Sequence, residues 1–162
     1  FSVLIVQSCW ALSATISSAA EEDPTAYVQK ELRIEFSTFG RGVAEAIRGM
    51  GKRAKLGEAT EYVVRSEQVG SGYTIKWITK KGEPDTPFPE YMKLNKVGVI
   101  LPGNTMLGKT SQSEIISRMG KPSAKDGEKL TYQLPGYQGD DIAIFTFRQG
   151  KLSVVEWLWF VD

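Results

Sequence analysis

The chain is 162 residues long, carries 20 Lys and Arg against 19 Asp and Glu, and contains no histidine and one cysteine, Cys9. Without an imidazole no Ser-His-Asp or Cys-His device can be built, and zinc loses its usual His and Cys ligands. The balanced charge supplies no overall basic field for nucleic acid.

Paired carboxylates remain for acid-base work or calcium, but no Asp-x-Asp-x-Asp-Gly loop is present. Asp140 and Asp141, next to Gly139, read as a polar turn. The basic groups Lys52, Arg53, Lys55 and Lys80, Lys81 each sit beside glycine and read as solvated loops.

Residues 1–20 carry no charge and precede Glu21, Glu22 and Asp23. An apolar run followed by small residues at Ser18 and Ala20 fits a secretory signal cleaved after Ala20. Two other readings stay open. One is a lipobox, Val6-Gln-Ser-Cys9, with Cys9 lipidated; the other is an ordinary N-terminal helix. Both export readings place the domain outside the cytoplasm, folding without disulfides because Cys9 has no partner. No later segment approaches the ~20 apolar residues that span a bilayer.

Acidic residues before Pro24 favour a helix start. Tyr27, Val28, Leu32, Phe36 and Phe39 then predict a helix from Thr25 toward a break at Phe39-Gly40. A second helix is expected over Val43 to Met50, stopped by Gly51. Strands Glu61 to Glu67 and Tyr73 to Thr79 flank the connection Gln68-Val-Gly-Ser-Gly. The proline-rich stretch 81–90 reads as a linker. Tyr91 to Ile100 is expected to be extended, and Leu101-Pro-Gly-Asn to turn. Ser111 and Glu114 form a capping-box pattern opening a helix whose stripe is Ile115, Ile116 and Met119, ended by Gly120-Lys-Pro122. Leu130 to Leu134, Ile142 to Arg148 and Leu152 to Val161 read as strands, the last two joined at Gln149-Gly150.

The halves also echo each other. Phe39-Gly-Arg, Met50-Gly-Lys and Tyr62 match Leu107-Gly-Lys, Met119-Gly-Lys and Tyr132 in order. The organisation expected is a leader over 1–20, a helix-plus-hairpin unit over 21–80, the linker 81–90, and a second unit over 91–162. The fold class expected is α+β, with helices packed on one face of an antiparallel sheet in two tandem helix-plus-sheet units.

The segments Gly108 to Pro122, Leu130-Thr-Tyr132 and Ile144-Phe-Thr-Phe-Arg-Gln-Gly-Lys-Leu152 resemble the small envelope-domain group of BamE (SmpA/OmlA) lipoproteins and β-lactamase inhibitory protein. The resemblance is clearest over residues 108–162. It implies a helical pair on an antiparallel sheet, in tandem in the inhibitor, and a binding rather than a catalytic role.

Pairing the last two strands about Gln149-Gly150 puts Phe145, Phe147, Leu152, Val154, Leu158 and Phe160 on one face, expected to meet the helices. Ile142, Ile144, Val155, Trp157 and Trp159 then fall on the other, with Tyr73 and Trp77 extending it from the first half. Glu156 falls on the expected core face, a sign that the register slips nearby. A face this apolar calls for a cover: a partner protein, or the other half of the chain packing on it as core. The expectation is therefore a non-enzymatic, extracytoplasmic protein-binding module of the cell envelope. Its expected contacts are Trp157, Trp159, Val155, Ile144, Tyr73 and Trp77. It takes no cofactor, no metal and no nucleic acid, and is held at a membrane only if Cys9 is lipidated. Inhibition of a secreted or periplasmic enzyme is the alternative, and an enzyme with paired carboxylates in a pocket the third reading.

Overall fold

Asp23 caps the first helix, its carboxylate accepting from the Thr25 amide, and Pro24 occupies the first turn, where a missing N–H leaves nothing unsatisfied. The computed structural model describes residues 23–50, 52–57, 61–83, 86–136 and 140–160. The leader, lipobox and N-terminal-helix readings of residues 1–20 lie outside these, as do Gly51, Gly139 and Val161.

Helix α1, Pro24–Arg48, is one unbroken helix rather than two. Gly40 does not break it, because that glycine is where α1 crosses the sheet. A Cβ there would lie 2.7 Å from the Trp157 ring, so a long-range packing demand explains the residue. Trp157 Nε1 donates to the Phe36 carbonyl at 3.0 Å, and the Phe36 ring meets Phe145 edge-on at 5.3 Å. The helix ends over Gln68, whose buried amide donates to the carbonyls of Ile47 and Met50. These bonds tie the last turn of α1 and the residues just past it to the strand that holds Gln68.

The strands that follow are β1 (Ala54–Lys55), β2 (Val63–Gly70), β3 (Tyr73–Lys80) and β4 (Phe88–Leu94). The β2–β3 connection is shorter than expected: both strands run up to Ser71-Gly72, with Gly72 at φ +87. Short strands β5 (Ile100–Leu101) and β6 (Thr105–Met106) flank a 3-10 turn, Pro102–Asn104. Helix α2, Gln112–Met119, carries the expected capping box, with Ile115 and Met119 fully buried. Strands β7 (Ala124–Asp126), β8 (Lys129–Pro135), β9 (Asp140–Arg148) and β10 (Lys151–Leu158) complete the chain.

Eight strands form one antiparallel sheet in the order β1-β2-β3-β4-β10-β9-β8-β7. The expected α+β class with tandem helix-plus-sheet units is corrected by this architecture. Strand takes 44% of the described residues against 28% for helix, and the helices are one long and one short rather than paired in each half. Phe88, Pro89 and Glu90, at the end of the expected linker, start β4, which pairs with β10 through Leu94↔Val155 and Met92↔Trp157. Pro89 sits at the register shift opposite Lys76/Trp77, where a residue lacking an N–H is tolerated. A single core cluster then spans α1, α2 and the central strands from both halves of the sheet, including Phe36, Trp77, Met92, Met119, Phe145 and Trp157.

Three polar ties dock the helices. Asp141, buried in β9, accepts from Ser37 Oγ at 2.9 Å and pairs with Arg41 at 3.0 Å. It is thus no part of a solvated turn, because only a compensated carboxylate can be buried this way. Arg33 donates to the carbonyls of Met119 and Lys121 at the end of α2, and Tyr132 Oη donates to Gly120 O at 2.9 Å.

Candidate functional site: the uncovered sheet face

Both helices pack on the same face of the sheet, as the contacts of Phe36 with Phe145 and of Gly120 with Tyr132 require. Register then assigns every strand residue to a covered or an uncovered side. The pairs Leu152↔Phe147, Val155↔Phe145 and Trp157↔Ala143 are covered; Val154↔Thr146, Glu156↔Ile144 and Leu158↔Ile142 are uncovered.

The ladder slips between Leu152 and Val154, where Ser153 Oγ bonds the Thr146 carbonyl at 3.2 Å. This bulge inverts the side on which all later β10 residues project. The sequence-derived face is therefore right for Phe145, Phe147, Ile142 and Ile144 and for Leu152. It is reversed for the rest of β10. Val155 and Trp157 are fully buried and Trp159 nearly so, all under the helices, while Val154 and Leu158 are half-buried on the uncovered side and Phe160 is exposed. Trp77 is likewise fully buried on the covered side. Tyr73 shares that side and packs at its margin, its ring lying over Gly70, where a Cβ would come within 2.1 Å. Of the six expected contact residues, only Ile144 lies on the uncovered face. Truncating a fully buried Trp such as Trp157 typically costs about 3–5 kcal/mol, which makes these rings part of what holds the fold.

The uncovered face divides into two regions. Over β8–β10, Ile142, Ile144, Val154 and Leu158 form an aliphatic strip among Thr131, Thr146 and Gln133, each half-buried by its cross-strand neighbours except the exposed Gln133. Over β2–β4 the face is mixed, with exposed Val69 and buried Ile78 set among charged and hydrogen-bonding residues. Tyr91 Oη donates to Glu156 Oε1 at 2.6 Å, Lys76 Nζ stands 5.4 Å from the Tyr91 ring centroid, and Arg65 pairs with Glu90 at 3.2 Å. Burial pushes the Tyr91 phenol well above its ordinary value, and the Glu156 carboxylate adds to the shift by accepting its proton in a hydrogen bond and repelling a phenolate.

Sequence reasoning did not find Tyr91, Val154 or Leu158 as surface residues. The signal that pointed to them was Glu156, whose carboxylate a register without the bulge would have driven into the core. Among the described residues, no group of three His, Cys, Asp or Glu is placed to hold a metal ion, and no helix is long and apolar enough to cross a membrane. What this geometry offers is an apolar strip with a hydrogen-bonding rim, a surface suited to contact. No protein-family model, curated protein or solved structure is significantly similar to the chain.

Proposed function

We propose that the chain is a non-enzymatic protein-binding module that docks its partner on the uncovered sheet face, with Ile142, Ile144, Val154 and Leu158 as the apolar centre and Tyr91, Glu156 and, opposite Glu156 on β4, Lys93 as the polar margin. The observation that carries this reading is the sidedness of the sheet: two helices cover one face, while the other displays a half-buried aliphatic strip. Apolar centres with polar margins are the usual anatomy of contact surfaces. The resemblance of residues 108–162 to small envelope domains, with the uncharged stretch 1–20, supports an extracytoplasmic setting.

The test uses the whole chain as bait in an envelope extract, beside an Ile144→Lys/Leu158→Lys variant whose circular dichroism and melting match the wild type. The expected result is a protein captured by the wild type and lost from the variant, then shown to bind directly when purified. If that protein is an enzyme whose turnover the chain stops, the binding takes the form of inhibition. Retention of the same direct binding by the folded variant would refute the assignment to this face.

A further inference from the structure

On the helical side of the molecule, an apolar trough runs beside the first four turns of α1. One stretch, of ≈ 680 Å³, is lined by Val28, Leu32 and Glu35 of α1, Gly103, and Ser117 and Arg118 of α2. The next, of ≈ 550 Å³, continues past Glu35 between Ile34, Phe39 and the Ile100–Pro102 segment. From Pro24 to Phe39 the helix rises about 22 Å. The floor is tight: Leu32 is buried, and a Cβ on Gly103 would lie 2.9 Å from Leu32 Cδ1. The walls are open, with Val28 62%, Tyr27 51% and Ile100 60% exposed. A small molecule would find little enclosure there, whereas an elongated apolar trough of four turns matches one face of an amphipathic helix.

Charge selects the occupant. Glu31 and Glu35, one turn apart on α1, border the trough, and neither has an ion-pair partner among the described residues. Arg118 on the far wall is engaged by Glu114 at 3.4 Å. A second copy packing α1 on α1 would set these glutamates against their own counterparts, and like charges facing across an interface disfavour association. An anionic lipid surface meets the same repulsion. We propose that the trough is a docking groove for a basic amphipathic helix of a partner protein, its apolar face on Val28 and Leu32 and its Lys or Arg residues against Glu31 and Glu35, which border them on α1. This site is separate from the uncovered sheet face.

The probe is a fluorescent Leu/Lys amphipathic peptide of roughly 16 residues, the length of about four turns, titrated against the full chain and compared with its Leu/Glu counterpart. The Leu/Lys peptide should saturate and the Leu/Glu peptide should not. Glu31→Lys/Glu35→Lys should raise the Leu/Lys Kd about tenfold or more and admit the Leu/Glu peptide. Val28→Asp, at an exposed position with melting checked, should abolish binding, whereas Ile144→Lys on the sheet face should leave it intact. Absence of saturable binding, or binding indifferent to the charge reversal, overturns the proposal. So does a dimer in sedimentation that Val28→Asp dissociates, since that outcome gives the trough to a second copy.

Discussion

Tyr91 and Glu156 hold the middle of the uncovered face at the scale of single residues. Their 2.6 Å hydrogen bond exists only while the phenol keeps its proton, and burial together with Glu156 raises the folded pKa above the ordinary 10.0. The contribution of the pair to stability is therefore complete below pH 10.0 and declines as pH rises from there through the folded pKa. Tyr132, pushed up to about 12 by burial with Arg33 opposing, adds a loss over the same alkaline window. The chain is expected to show a falling urea midpoint as pH rises from about 10 toward about 12, and Tyr91→Phe to flatten part of that fall. An equal fall in Tyr91→Phe would mean that the pair is not formed. Neither tyrosine's role was legible in sequence, because each depends on a partner across the fold: Glu156 for Tyr91, and the end of α2 for Tyr132.

Local devices were the most legible at the scale of elements. Helix α2 begins where Ser111 and Glu114 predict, with Glu114 N donating to Ser111 Oγ at 3.3 Å and Ser111 N donating to Glu114 Oε2 at 2.8 Å. The backbone bond from Ser111, then its hydroxyl, with Arg118 and Lys151 nearby, holds the Glu114 carboxyl below its ordinary 4.5. Ser111→Ala should cost about 1 kcal/mol in chemical denaturation. Because the folded pKa is depressed, the Glu114 contribution is present above pH 4.5 and lost as pH falls through the folded value. The variant should therefore also lose less stability than the wild type on acidification. An unchanged acid limb would show that the Ser111 hydroxyl does not contribute to lowering Glu114, since the variant keeps the backbone donor. The elements misread from sequence share a cause in long-range contacts. Gly40 looked like a helix break, yet it is set by Trp157, and Pro89 looked like linker while serving a strand at a register shift. The Ser153 bulge betrayed itself only through the misplaced Glu156.

Across the whole molecule, the junction of β4 with β10 turns two runs of strands into one sheet with a shared core. That junction was invisible in the sequence, since pairing between strands so distant along the chain leaves no local pattern. It has the consequence on which the functional reading depends: one side of the sheet is filled by α1 and α2, and the other is left with Ile142, Ile144, Val154 and Leu158. The sequence located the right strands and an apolar surplus on them, but one bulge decided which side of β10 receives the tryptophans.

Thiol labelling of paired single-cysteine variants tests that assignment most directly. In a Cys9→Ser background, Val154→Cys and Val155→Cys are adjacent positions just past the bulge that project to opposite sides of the sheet, and each is labelled under native conditions with its melting checked. Val154→Cys should react readily and Val155→Cys should be protected until the chain unfolds. Protection at 154 with free reaction at 155 would put the tryptophans on the open face and contradict the account.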